Sequence, residues 1–423
     1  MTTVPTERPS ADLIVDNCAQ LVTCDPTRGA GDRLGVLEGG ALAASGERVV
    51  WVGPSSRLAE DVRPAPDCRR IDGRGRVLLP GFVDSHTHLV FAGTREQEYA
   101  MRAAGASYQE IAAAGGGIRA TVRATRAADV DELVRLATPR LDRMLAHGTT
   151  TCEAKSGYGL TLDDELKMLE TIRRLDAGHP VDVLANFCGA HEVPDEFRNR
   201  VDDYVSLVVE TMLPEVAKRG LARYVDVFCE QGVFSIAQSR RILQAGAAHG
   251  LRAKFHADEF VGLGGAELAA ELRALSADHL LQSSLEGVSR MKAAGVTATL
   301  LPGTAFFLGL PYAPARKFLD TGVRVALASD FNPGSSPGLS MQLVMTMAIS
   351  QMKMTPEEAL LGVTLHGAHA MGLDHEVGSL APGKLCDLAL CDVGDWRQLP
   401  YFYGVNHASL VVKRGRVAWE RRA

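Results

Sequence analysis

The sequence predicts an α/β fold, a (β/α)8 TIM barrel carrying a small discontinuous β-sandwich domain built from both termini. Three observations carry this. Short apolar runs alternate with stretches of helical period through the middle of the chain. Both ends read as short strands separated by Gly, Pro and Asp. Ionisable residues gather where the middle strands end.

The end segments have one texture. Strands are expected at 12–15, 48–53 and 76–79, and again at 386–390 and 409–413. Chain ends often lie close together, so one domain can take strands from both. This assigns 1–78 and 379–423 to the composite β domain and 79–378 to the barrel. In the middle, Leu133, Leu136, Leu141, Met144 and Leu145 recur at helical spacing across 131–146. Further helices are expected at 163–175, 202–219, 235–249, 265–274, 285–294 and 314–320. Strands are expected before His86 and at 149–152, 181–187, 224–228, 252–255, 277–279, 296–301 and 323–328. Helices between successive strands imply parallel pairing, and eight such units predict a closed barrel.

Composition excludes several classes. A net charge of −6 over 423 residues, with no long basic run, argues against nucleic acid or a phospholipid surface as partner. The eight cysteines form no CxxC pair and lie mostly in apolar runs, which predicts buried free thiols in a reducing compartment. The polar stretch 1–12 has no signal-peptide pattern, and no eighteen apolar residues run unbroken. A cytoplasmic protein is the expectation.

The strand ends carry His86 and His88, Lys155, His191, Glu230, His256, His279, Pro302 and Asp330 in turn. Barrel enzymes place their sites at these ends. His86 and His88 stand two apart, so their side chains leave the strand on one side. With His256 and Asp330 they form the expected metal set, three imidazoles and a carboxylate that suit Zn or Fe. Asp330 alone also reads as a helix N-cap before Asn332 and Pro333. Glu259 follows His256 by three and can reach bound water as a general base; it also reads as a first-turn helix carboxylate. His279 reads as a proton-handling group or a hydrogen-bonded strand histidine.

Other matches are set aside. Pro337 disrupts the G-x-S-x-G match at 334–338, and Leu385 replaces the Ser/Thr of a P-loop at 378–384. His366 and His369 share a helical face and read as buried or capping. The triple glycine at 115–117 reads as a loop or a lid.

The stretch Phe82-Val83-Asp84-Ser85-His86-Thr87-His88 resembles the first-strand signature of the amidohydrolase superfamily. The run Gly378-Ser379-Leu380 … Pro382-Gly383-Lys384 … Asp387-Leu388 is similar to its return into the β domain. Four narrower stretches resemble one branch of it: 91–95, 153–160, 255–259 and 330–335. The resemblance implies hydrolysis of the cyclic amide of 4-imidazolone-5-propanoate to N-formimidoyl-L-glutamate, in histidine degradation. It implies metal ligands at His86, His88, His256 and Asp330. It implies substrate contacts at Arg95, Tyr158, His191, Glu259, Asn332, Gly334 and Ser335, and proton transfer among Glu259, His279 and Asp330. The fourth strand ends in Cys229 and Glu230 rather than the bridging lysine of binuclear members, and Lys155 belongs to the second strand. One metal ion per chain, a small-molecule substrate and a homodimer follow as expectations. Another mononuclear amidohydrolase, such as an amino-heterocycle deaminase, is the alternative.

Residue chemistry is consistent with these assignments. Arg95 suits bidentate capture of a propanoate carboxylate, or forms a surface ion pair within 95–98. Asn332 and the Gly334 backbone suit polar substrate edges, or form an Asx-type turn.

Overall fold

The computed structural model describes residues 8–25, 27, 28, 32–106, 110 and 115–422. Its centre is a parallel eight-stranded sheet: Phe82–Asp84, Thr149–Lys155, Asp182–Ala190, Tyr224–Cys229, Arg252–Ala257, Ser276–His279, Thr297–Leu300 and Val325–Leu327. Neighbours in sequence are neighbours in the sheet. The eighth strand returns to the first through a parallel bridge of Thr87 to Phe331, with the His88 amide donating to the Phe331 carbonyl at 2.9 Å. The Asp330 amide donates to the His86 carbonyl at 3.0 Å. The expected eight-stranded barrel is therefore present, and the bridge that closes it lies between the histidine pair and Asp330.

Local signals set the helices. Asp129 accepts from the Glu132 amide to start Val130–Ala146, and Thr161 accepts from the Asp164 amide to start Leu162–Gly178. Ser235 and Gln238 form a reciprocal box at the start of Ile236–Ala248. The helix expected at 202–219 is not uniform. It contains a wider π-helical stretch, Val208–Met212, between Val201–Leu207 and Leu213–Arg219. Pro214 has no N–H to give the preceding turn, which accounts for the loosened ladder.

Two further sheets make the β domain. One has four strands, in the order Arg48–Pro54, Gly40–Ser45, Ser10–Asp16, Arg63–Asp72. The other has six, in the order Arg416–Glu420, Ala408–Lys413, Leu388–Cys391, Val77–Pro80, Gln20–Val22, Val36–Glu38. Leu13, Val15, Leu42, Leu78, Leu388 and Val412 pack between them. The strand Val77–Pro80 faces two ways. Leu78 joins that core, while Val77 and Leu79 join the barrel core, as side-chain alternation requires. It continues through Gly81 into Phe82–Asp84, and a side chain at Gly81 would collide with Thr150.

Seven of the eight cysteines are buried, Cys68 is partly exposed, and all are free. Among the described residues no helix is long and apolar enough to cross a membrane.

Helix Ile236–Ala248 approaches the fourth strand closely because Gly246 faces Val225. A Cβ at Gly246 would lie 2.5 Å from Val225 Cγ1. Overpacking of this kind costs about 1–3 kcal/mol, whereas alanine gains at most about 1 kcal/mol in helix propensity. Gly246→Ala is therefore expected to destabilise the protein by roughly 1 kcal/mol, read as a lower urea midpoint with an unchanged slope.

Candidate active site

The site forms at the C-terminal mouth of the barrel. His86, His88, His256, His279 and Asp330 are all buried there. His88 Nε2 lies 3.3 Å from His256 Nε2, and Asp330 Oδ1 lies 3.5 Å from His86 Nε2 and 3.8 Å from His88 Nε2. The expected metal set is thus brought into one cluster. Asp330 caps no helix, since the next one is Met341–Met352. Thr304 donates to its second oxygen at 2.5 Å, and burial pushes its carboxyl up to about 6.

Two carboxylates orient the imidazoles from below. Asp278 Oδ2 lies 2.7 Å from His86 Nδ1, and Asp226 Oδ1 lies 2.8 Å from His256 Nδ1. Each fixes a tautomer with the proton on Nδ1 and a lone pair on Nε2. Among the described residues, His86 Nε2 is buried with no hydrogen-bond partner, and so is His88 Nδ1. Burial holds His86 and His88 well below the usual histidine value, so both are neutral. The Nε2 lone pairs of His86 and His256, with the Asp330 carboxylate beside them, are ligand atoms that a cation among them would engage. The His86, His88 and Asp330 donor atoms lie within 4.8 Å of one another, as do those of His86, His256 and His279. The residues therefore fit a metal ion with nitrogen and oxygen ligands.

Sequence reasoning missed Asp226 and Asp278. Both sit in the bodies of buried strands, where an acid requires a partner. That requirement was the available signal. Their partners continue downward. Lys155 Nζ reaches Asp226 at 2.5 Å and also binds Glu153. Lys254 binds Glu153 from the other side and donates to the Ser85 carbonyl at 2.8 Å. Burial alone pushes Asp226 up, but Lys155 and His256 outweigh it and hold the carboxyl well below the usual range.

Above the cluster is a cavity of about 470 Å³, lined by every remaining candidate. Tyr158 and His191 form one wall, with His191 stacked on His88 at a centroid distance of 4.6 Å. His191 Nδ1 meets the Gly157 carbonyl at 3.2 Å, and burial lowers its pKa to about 3. Glu259 lies in the loop after the fifth strand and not in a helix. Asp258 beside it accepts the amides of Leu263, Gly264, Gly265 and Ala266 ahead of helix Gly265–Leu272. Glu259 Oε1 is 3.4 Å from His279 Nδ1. Burial, then the charges of Asp330 and Glu230, push Glu259 well above the ordinary carboxyl value. Among the described residues, His279 Nε2 is buried without a hydrogen-bond partner.

Arg95, also in the lining, donates from Nε and Nη2 to Glu98 at 2.8 and 2.7 Å. The ion pair expected within 95–98 exists, yet it lines the cavity. A side chain at Gly334 would collide with Arg95. Asn332 adopts the expected Asx-type turn, accepting the Gly334 and Ser335 amides, each at 2.8 Å. Its amide group donates to the Asp330 carbonyl and to Ser335 Oγ. Asn332 thus shapes the rim as well as lining it. Asp258, His279 and Asp330 all hold positive φ (50°, 74° and 52°), an uncommon conformation for side-chain-bearing residues and one concentrated at this mouth.

Comparison with known proteins agrees with this architecture. The amidohydrolase family model matches residues 77–418. Imidazolonepropionase of Geobacillus kaustophilus (strain HTA426) is 52% identical over 385 residues, 91% of each chain. Imidazolonepropionase of Symbiobacterium thermophilum is 51% identical over 411 residues, covering 96% of this chain and 97% of that one. Among solved structures, a Xanthomonas campestris adenosine deaminase with bound zinc superposes with a TM-score of 0.73 at 18% identity, covering 97% of this chain and 93% of that one. E. coli guanine deaminase gives 0.71 at 16% identity, covering 97% and 99%. These distant likenesses establish the shared fold. With half of its residues shared along nearly its whole length, the chain belongs to the amidohydrolase family and, within it, to the imidazolonepropionases.

Proposed function

We propose that the chain hydrolyses 4-imidazolone-5-propanoate to N-formimidoyl-L-glutamate. The observation that carries this reading is one cavity lined both by the imidazole–Asp330 cluster and by Arg95. The first suits an amide carbonyl and the second a carboxylate. Relatives half identical along nearly the whole chain bear the matching name.

In this reading His86, His88, His256 and Asp330 hold one ion, zinc or iron. When bound, such an ion lowers the pKa of water to about 7 and polarises a carbonyl. The remaining work falls to side chains. Arg95 binds the propanoate carboxylate and sets the ring's position. Tyr158, His191, Asn332, Gly334 and Ser335 close around the ring and exclude water. Glu259, its carboxyl raised by burial above the ordinary value, takes a proton from the attacking water as the new C–O bond forms. It returns that proton to the ring nitrogen as the amide C–N bond breaks. His279 beside it, or Asp330, shares that proton. One water is consumed and the ring opens without oxidation or reduction. A cytoplasmic homodimer completes the proposal.

The direct test supplies imidazolone propanoate to metal-loaded protein. Loss of ring absorbance is expected; unchanged absorbance at high enzyme rejects the reading. Ammonia release from amino-heterocycles would favour a deaminase instead. Arg95→Ala is expected to raise KM roughly 10- to 100-fold, more than it lowers kcat. Glu259→Gln is expected to cut kcat by about 10²- to 10⁴-fold with the ion still bound. Asp226→Asn is expected to weaken zinc binding about 10- to 100-fold in chelator competition, because His256 loses its orienting partner. Wild-type zinc affinity in that variant would remove Asp226 from the account.

A further inference from the structure

We infer that Glu98 is a positioning residue that presents Arg95 end-on to an acidic substrate, and so sets the preference for a carboxylate-bearing ligand. The inference rests on the functional reading above only for the identity of that ligand.

Glu98 is buried, an unusual state for a glutamate, and it lines the cavity. Both of its oxygens are engaged. Oε2 accepts from Arg95 Nε at 2.8 Å and from Nη2 at 2.7 Å. Oε1 accepts from the Gly117 amide at 3.0 Å. Gly117 has φ 81° and ψ −172°, a backbone region open essentially only to glycine. Its N–H is thereby held towards Glu98 at the start of helix Ile118–Ala127. Glu98 itself is carried on helix Glu96–Ala103. The carboxylate is thus fixed from two elements and in turn fixes the guanidinium.

The consequence lies in which donors remain. A guanidinium has five N–H groups. Glu98 occupies the Nε and Nη2 side edge, which among the described residues leaves both Nη1 hydrogens and one on Nη2. One Nη1 hydrogen and the remaining Nη2 hydrogen form the end edge, the other edge on which a carboxylate can bind bidentately. Arg95 Nη1 lies against Gly334, 2.1 Å from where a Cβ on that residue would stand, so the glycine leaves it room. Without Glu98, Arg95 would be free to turn either edge to the cavity, and a flexible cation orders a ligand poorly.

The test uses zinc-loaded full-length protein and two probes, imidazole-4-propanoate and 4-propylimidazole, followed by calorimetry. Glu98→Gln keeps the size and an acceptor for Gly117 but loses the charge. It is expected to weaken the propanoate probe about tenfold while 4-propylimidazole binds as before. In the Arg95→Ala background the same change is expected to cost less than about twofold, because Glu98 acts through Arg95. With imidazolone propanoate as substrate, KM is expected to rise several-fold more than kcat falls. Equal weakening of both probes, additive losses in the double variant, or no change would each overturn the inference. A wild-type protein that opens no imidazolone ring, yet binds the propanoate probe in a Glu98-dependent way, would sink the proposed substrate and leave Glu98's role standing.

Discussion

The site depends on carboxylates inside the barrel that hold imidazoles by their Nδ1 protons. Barrel interiors are usually filled by branched apolar side chains. Here Glu153, Lys155, Asp226, Lys254 and Asp278 stand in their place, all fully buried. Burying one such charge alone would cost several kcal/mol. The group persists because each carboxylate has a lysine beside it, Lys155 between Glu153 and Asp226 and within 3.8 Å of Asp278. Three carboxylates outnumber two ammonium groups, so the layer beneath the histidines favours a cation above it. The same excess keeps Lys155 charged, since its carboxylate neighbours outweigh the pull of burial.

Strand geometry explains how separate segments build this layer. Glu153 and Lys155 are two apart, as are Lys254 and His256, so each pair faces the barrel axis. Cross-strand register does the rest. His256 pairs with Asp278 and Phe228 with His256 in the parallel ladders of the fourth, fifth and sixth strands. A slip of one residue in the fifth strand would turn Lys254 and His256 outward together. The orienting acids and the imidazoles are therefore coupled through register, not through loops, and this gives a rigid base to a mouth whose upper wall is loop-borne.

Much of this was legible in the sequence. The eight strands were readable because apolar runs between helical periods leave little alternative, and the histidines and Asp330 were readable because they fall where those runs stop. Asp226 and Asp278 were not found by that route. They lie within strands, where no apolar run stops, and alternation cannot say whether an inward acid meets a lysine or an imidazole across the barrel. Arg95 and Asn332 each had two readings, and the local one holds: Arg95 is ion-paired and Asn332 closes a turn, while both residues also border the cavity. Local spacing offered those as rivals because it cannot show that a local pair also faces a cavity. The π-helical stretch Val208–Met212 left no periodic trace, although Pro214 was its one local cue.

The β domain bears on the chemistry through a single strand. His86 and His88 hang from the end of Phe82–Asp84, which is only three residues long and could not fix two imidazoles by its own ladder. It is a continuation of Val77–Pro80, which pairs with Leu388–Cys391 from the far end of the chain. At the junction the Gly81 amide donates to the Asp387 carbonyl at 3.0 Å. The Asp387 side chain is in turn held by Lys413 at 2.5 Å and by the Arg414 amide at 2.8 Å. The C-terminal segment thus clamps the root of the strand that delivers the histidine pair, while the Thr87–Phe331 bridge clamps its tip. A short strand gripped at both ends places two side chains more accurately than a longer strand gripped at one, because angular error at the root is not carried to the tip. On that argument the union of both termini in one sheet is part of how the first barrel strand holds its imidazoles in place.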